Sequence, residues 1–483
     1  MVNGRGIAQT IAILLFAALV LTAAAWLRGA EYDEQYTLFL TAGTARPELP
    51  ETAFPAGAIP VIQSGHGSLS GIATALRRTD VHPPLYFWAV SLWRGAIGST
   101  LFEARAFSVL CGVASLALVG ALAARCRIPK VPAMLLTLGS DGFVYTSVIA
   151  RGFALAQLLT LAGVLLLTGR RTPFSLLAAG ALFGAAAACN YLAVFVAVAA
   201  GIMTGGWLLL PAAAPFLALD AWFFAAQHGA RDGQFPPFSP TGALPRLAGY
   251  ETASLFGGLP LYAAGNAGRI AIGGDVGALM LGLAATVLAA GPWAAGPRVR
   301  LLAAAAVSPP IGLLLLGVAF NNTPIELRYL SFGVPFIGLL MAWACTGVWS
   351  RALLYAAGTV QCAAIAGLML APATMQPARA AAHAAADLDD DAAALVPRGN
   401  DGVGIVGAFG SEAPAALPML LVRPTDTPAA LQDRTGFYQR VILALLGQDR
   451  DSNATLPIMH AAFAGPGWRR IASGSNIEVY ERE

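Results

Sequence analysis

Charge is scarce in this chain. Only 11% of its 483 residues are Asp, Glu, Lys or Arg, against about 25% in an average soluble domain, which excludes an ordinary water-soluble globule. Cysteine is scarce too. All five (Cys111, Cys126, Cys189, Cys345 and Cys362) lie in or beside apolar runs, so neither a disulfide framework nor a zinc-ligand spacing is present. The formal net charge of +3 is too small to argue for nucleic acid, and the positions of the charges matter more than their sum. Histidine offers no ligand set: His66, His228, His383 and His460 are scattered, and His82 stands beside a double proline. What is abundant is apolar surface, 57% of residues, in runs long enough to cross the roughly 30 Å hydrocarbon core of a bilayer. The composition is that of an integral membrane protein.

Arg5 precedes an apolar stretch that ends in "LTAAAW", with small residues suited to signal cleavage. That run, about 21 residues, exceeds the roughly 7–15 of a signal h-region, so it reads as an uncleaved first span. Hydropathy predicts eleven spans, at about 7–27, 104–124, 131–148, 152–168, 173–189, 191–206, 208–226, 272–295, 301–319, 330–348 and 352–371. With the N-terminus inside, four of the five cytoplasmic connections are basic and none is acidic: "RCRIPK" (125–130), "GRRT" (169–172), "GPRVR" (296–300) and "WSR" (349–351), beside a short turn near Gly205. This satisfies the positive-inside rule and places 28–80, the 227–271 loop and "NNTPIELRY" (321–329) outside.

The segment Pro83–Ile97 is short for a span, interrupted by Arg94 and rich in Trp and Tyr, and is expected to lie at or dip into the outer leaflet. After Met375 the chain turns polar and Ala-rich, with Pro and Gly punctuation. There "VGIVGAF" (403–409) and "NIEVYER" (476–482) read as strands, while 427–448 and "TLPIMHAAF" read as helical. The expected organisation is an all-α polytopic membrane domain over 1–375, with an outer loop at 28–103, followed by a small α/β soluble domain over 376–483. The setting expected is a bacterial inner membrane with the C-terminal domain periplasmic.

Gly402, Gly404 and Gly407 have G-x-G-x-x-G spacing, but they overlap an expected strand rather than following one and opening a helix, so they read as coincidence in a chain with 53 glycines. Asp33 and Glu34 are more informative. They follow the first span, are flanked by Tyr32 and Tyr36, and share the outer face with Arg105, Arg151 and Arg328. An arginine near hydrocarbon costs about 2.5–3.5 kcal/mol on insertion scales, so each is a functional candidate. Guanidinium groups beside an acid pair point to an anionic ligand, with bidentate geometry suited to phosphate. Asp220 stands inside a span and receives no role.

The acid pair, "HPPLYF" (82–87), "FEARAFSVLCGVASLALVGALAARC" (102–126), "ARGFAL" (150–155) and "RYLSFGVPFIGLL" (328–340), taken in order over residues 1–350, resemble the GT-C fold membrane glycosyltransferases of the protein O-mannosyltransferase and aminoarabinose-transferase type. The resemblance implies an inverting transfer of sugar from a polyprenyl-phosphate donor to a hydroxyl on a lipid or cell-envelope glycan. It implies Asp33 as catalytic base with Glu34 as its partner, and His82, Pro83 and Pro84 as a re-entrant motif. Arg105, Arg151, Arg328 and Tyr329 are implied to hold the donor phosphate. The partners implied are that donor, the hydroxyl acceptor and membrane lipids, with no nucleic acid. The resemblance fixes no cofactor, and a divalent metal is compatible with it. Three departures stand out. Ile149 replaces a glutamate found two positions before the arginine of the outer turn. Leu85-Tyr86-Phe87 replaces Leu-Gly-Lys, and Pro83 replaces a lysine after the histidine. A flippase of lipid-linked sugars, or a catalytically silent scaffold of the same fold, are the competing expectations; the first predicts matched broken helices near the midplane.

Overall fold

A computed structural model describes residues 4–227, 229, 235–257, 291, 295–345, 350–370, 377–386, 391–474 and 476–483. The expected span 272–295, His228 and much of the 227–271 loop lie outside the described residues. The chain divides into two compact units. The first comprises Met1–Trp26, Leu76–Tyr86 and Arg105–Ala371; the second comprises Leu27–Ala75, Phe87–Ala104 and Pro372–Glu483.

Among the described residues, four helices of the chain are long and apolar enough to cross a membrane: Gly6–Leu27, Leu101–Cys126, Leu209–Gln227 and Pro297–Phe320. A fifth candidate is the pair Asp141–Val148 and Phe153–Leu167, bent by 117° at its break. Pro173–Cys189, Tyr191–Thr204, Val334–Ala344 and Arg351–Ala366 are apolar but shorter.

The stretch 131–148, expected as one span, is two helices, Lys130–Leu138 and Asp141–Val148. Gly139 closes the first, and Ser140 is extended. A Cβ on Gly139 would stand 2.4 Å from Gln361 Oε1. Gln361 fills the break and donates from Nε2 to the carbonyls of Leu136 (3.0 Å) and Leu255 (2.8 Å). The Leu136 carbonyl beside the break is thus answered from a neighbouring helix, the condition for breaking a helix in an apolar setting.

In the second unit a six-stranded sheet is built from β1 (Phe54–Pro55), β2 (Ala392–Pro397), β3 (Pro418–Val422), β4 (Arg440–Ala444), β5 (Trp468–Ser473) and β6 (Ile477–Arg482). The order is β1-β3-β2-β4-β6-β5, with β2 parallel to β3 and β4 and the other pairings antiparallel. Every residue of β2 is buried, as a strand covered on both faces requires. Its alternate side chains enter two cores. Ala392, Ala394 and Val396 meet the helices Pro377–Ala386 and Gly404–Glu412 together with Phe39 and Ile59. Leu395 meets Leu431, Met459 and Phe463 from the helices Pro428–Arg434 and Arg450–Phe463.

Two readings of this region change. Residues 404–412 form a helix, not a strand, and 440–444 within the helical stretch 427–448 form the central strand β4. In the second case the β-branched pair Val441-Ile442 fits a strand buried on both faces.

Helix Leu85–Ile97 turns Arg94 inward. The guanidinium, 2% exposed, donates to the carbonyls of Gln63 (2.6 Å), Ser99 (2.6 Å) and Leu38 (3.3 Å) and to Thr41 Oγ1. Leu92 and Ile97 of the same helix are exposed.

Candidate active site

In the first unit the site begins at the 117° break. Helix Asp141–Val148 ends where Ile149 becomes extended, and the next helix starts at Phe153 with Gly152 as its cap. A Cβ on Gly152 would lie 2.4 Å from the carbonyl oxygen of Cys189, so only glycine permits this approach. Arg151, 2% exposed, is therefore held within the bend.

Its surroundings explain how a buried cation is tolerated. Asp80 Oδ2 lies 3.8 Å from Arg151 Nη1, and Arg151 Nη2 lies 3.2 Å from both ring nitrogens of His82. Asp80 Oδ1 is 2.9 Å from His82 Nδ1 and also accepts from the Val81 amide at 2.7 Å. A carboxylate accepting from Nδ1 favours the tautomer with the proton on that nitrogen, and Arg151 Nη2, equidistant from both ring nitrogens, lies against the imidazole. Asp80 thus joins the two residues predicted from sequence, although it was not itself predicted. Its only signal was its place two residues before His82 in "DVHPP".

A second unpredicted residue fixes the backbone of this turn. Gln227, 4% exposed at the end of helix Leu209–Gln227, donates from Nε2 to the carbonyls of Leu76 (3.1 Å) and His82 (2.9 Å) and accepts from Tyr191 Oη (2.9 Å). His82, Gln227, Tyr191, Asn190, Asn322 and Tyr329 give polar edges to a cavity of about 370 Å³ whose other walls are apolar, with Phe195, Phe224 and Phe320 among them. A chamber of this kind takes a largely apolar ligand and orients it by a few polar groups. A groove of similar volume among helices Pro173–Cys189, Val194–Thr204 and Leu209–Gln227 is walled by Gly, Ala, Val, Leu, Ile, Phe and Trp, and offers no group for acid–base chemistry.

Tyr329 stacks on Phe153 (centroids 6.4 Å apart), so His82, Arg151 and Tyr329 share one region. Arg328 forms a 2.6 Å pair with Glu326 and lies 5.4 Å over the Tyr329 ring. Arg105, 2% exposed, donates to the Ala25 carbonyl at 2.8 Å, answering an acceptor near the end of the first helix. Pro83 and Pro84 are buried and immediately precede helix Leu85–Ile97.

Asp33 and Glu34 belong to the second unit, in the first turn of helix Tyr32–Thr41, where carboxylates complement the helix dipole. Glu34 is fully buried and Asp33 is 9% exposed. Glu34 Oε2 accepts from the Glu31 amide at 3.2 Å, completing a capping box with Glu31. Tyr32 and Tyr36 of this helix both donate to Asp401 Oδ2.

The glycine spacing at 402–407 acquires a use here. It follows strand β2 and opens helix Gly404–Glu412, the order that a dinucleotide site would need. However, a Cβ on Gly404 would stand 2.4 Å from the Tyr32 ring and one on Gly407 2.7 Å from Gln35 Oε1. The glycines admit the helix that bears Asp33, not a cofactor.

Ile149 is fully buried, and among the described residues no three His, Cys, Asp or Glu side chains group to hold an ion.

No protein-family model and no curated protein sequence matches the chain. In fold it is similar to ArnT from Cupriavidus metallidurans in the apo state, with a TM-score of 0.51 over 97% of both chains at 11% identity. The same protein bound to undecaprenyl phosphate gives a TM-score of 0.51 over 97% of both chains at 12% identity. The Archaeoglobus fulgidus oligosaccharyltransferase in the apo form gives a TM-score of 0.44 at 10% identity, over 90% of this chain and 69% of its own. The likeness to ArnT runs nearly the full length of both chains and shows the GT-C fold.

Proposed function

We propose that the protein is an inverting glycosyltransferase that moves a sugar from a polyprenyl-phosphate donor to a hydroxyl on a lipid or cell-envelope glycan. The observation that carries this reading is the buried Asp80–His82–Arg151 cluster, whose His82 edges an apolar cavity. An amphiphile with an anionic head and a hydrocarbon tail matches that combination, and ArnT, whose fold the chain shares, is known bound to undecaprenyl phosphate.

In this reading Asp33 accepts the proton of the acceptor hydroxyl as its oxygen bonds to the anomeric carbon. The bond from that carbon to the phosphate oxygen breaks on the opposite face, and its electron pair leaves with the lipid phosphate. Arg151 with His82 binds the departing phosphate, and Arg105, Arg328 and Tyr329 are proposed to contribute. Cations fixed in a partly dehydrated site stabilise developing charge more strongly than they would in water. Glu34 holds the first turn of the helix that carries the base. The apolar helices serve as membrane spans, with the N-terminus cytoplasmic and residues 376–483 periplasmic.

The test is Asp33→Asn in the full-length protein. It should abolish transfer from a panel of undecaprenyl-phosphate hexoses and pentoses while binding of undecaprenyl phosphate stays within about twofold of wild type. Near-normal turnover in that variant would sink the assignment.

A further inference from the structure

Helix Tyr32–Thr41 has 10 residues, fewer than the roughly 12–15 at which even an isolated Ala-rich helix becomes marginal in water. Its orientation therefore comes from tertiary anchors, and within the second unit those anchors converge on Asp401. One carboxylate oxygen accepts from the hydroxyls of both Tyr32 and Tyr36. The other accepts from the amides of Val403 (2.7 Å) and Gly404 (2.9 Å), which fixes the carboxylate to the loop between β2 and the following helix.

A second acid reinforces that loop. Asp449 Oδ2 accepts from the Asn400 amide at 3.0 Å and lies 3.4 Å from the Tyr32 hydroxyl, while Asp449 Oδ1 caps helix Arg450–Phe463. Burial first, and then the Asp401 charge, push the Tyr32 phenol well above the ordinary tyrosine range, so it remains a donor. One helical turn separates Tyr32 from Tyr36, and Asp33 is the next residue after Tyr32. Gln35 on the same helix donates to the Glu31 carbonyl at 3.2 Å and accepts from Gln63 Nε2 at 2.7 Å, and Gly407 leaves the space for it.

We propose that Asp401 is a positioning residue for Asp33: by holding both tyrosine hydroxyls it sets the orientation of the helix that carries the base. The C-terminal sheet then serves the reaction by aiming that helix. This rests on the reading of Asp33 as base.

The test compares Tyr32→Phe with Tyr36→Phe as a double variant, Asp401→Ala and Asp401→Asn, all in the full-length protein in detergent or nanodiscs. The double variant keeps both rings and removes only the hydroxyls. Together with Asp401→Ala it should lower kcat about 10–100-fold with KM within about twofold, because a misplacement near 1 Å costs up to about 10²-fold. Asp401→Asn, which keeps an acceptor oxygen, should recover most of the rate. Amide hydrogen exchange should quicken in 32–41 while β2, β3 and β4 stay protected. A kcat within about twofold of wild type, or unchanged exchange in 32–41, overturns the proposal. If wild type transfers from none of the undecaprenyl-phosphate sugars, the glycosyltransferase reading fails, and the exchange measurement still decides whether Asp401 orders the helix.

Discussion

Replacing Asp80 separates the role of its charge from that of its shape. The carboxylate is 6% exposed, accepts from the Val81 amide, bonds His82 Nδ1 and faces Arg151 Nη1 at 3.8 Å. Asp80→Ala removes the anion beside a buried guanidinium, a change that typically destabilises by about 3–5 kcal/mol. The lower end is expected, because the 3.8 Å separation is long and Arg151 keeps His82 as a neighbour. Asp80→Asn keeps an oxygen for Val81 and for His82 Nδ1–H but loses the charge. A hydrogen bond to a charged group contributes about 1.5–3 kcal/mol against about 0.5–1.5 for a neutral one, so the Asn variant should lose about 1 kcal/mol of stability. If the lost charge beside His82 and Arg151 is felt in the transition state, about 1.4–2.7 kcal/mol corresponds to a 10–100-fold fall in kcat/KM. Thermal unfolding in detergent and initial rates on the donor turned over by wild type measure the two effects separately. An Asp80→Asn enzyme with wild-type rate and wild-type thermal midpoint would refute the role given to the carboxylate charge.

Two further outcomes follow from buried charges outside the proposed spans. Glu251 on helix Pro240–Leu255 is 9% exposed, its Oε2 has no hydrogen-bond partner among the described residues, and burial pushes its carboxyl up to about 8. The folded protein keeps a proton there that the unfolded chain gives up above its ordinary 4.5. The associated stability is therefore fully present below that pH and lost as pH rises to about 8. Glu251→Gln should flatten the fall in thermal midpoint between acid and alkaline buffer, and an unchanged slope would contradict the assignment. Arg94→Ala removes the guanidinium donor from the Gln63 and Ser99 carbonyls and should destabilise by about 2–5 kcal/mol, with Arg94→Lys failing to restore stability because an ammonium lacks the planar fork. Limited proteolysis of 27–104 reads this out, and a resistant Lys variant would count against it.

The features legible in the sequence were those set by local composition. Apolar runs marked the helices, and Arg151 was conspicuous because a cation inside such a run is costly. Asp80 was not conspicuous, since an acid in an outer loop is ordinary until the fold brings Arg151 to it. The break at Gly139 was hidden because the answering group, Gln361, comes from another helix more than two hundred residues away. The run 403–409 is apolar enough for a strand, and only its packing against Tyr32 and Gln35 explains why those positions are glycine in a helix. Membership of 27–75 and 87–104 in the same unit as 372–483 is a matter of long-range pairing, which no local pattern reports.

Strand β1 pairs with β3, matching Phe54 to Met419, and this has a bearing on biosynthesis. The early loop leaves the ribosome long before its partner strand exists, and Tyr36 must wait through 365 residues for Asp401. Contacts so distant along the chain close late and slowly. Until the last strands are translated, Phe39, Ala56 and Ile59 lack the core that buries them, and the acid-bearing helix lacks its anchor. A truncated or stalled nascent chain would therefore carry Asp33 without a fixed orientation, so competence would be conferred only on completed molecules. The same arrangement means that 376–483 expressed alone would expose the face that residues 39, 56 and 59 normally cover, and it should be recovered as aggregate rather than as a folded fragment.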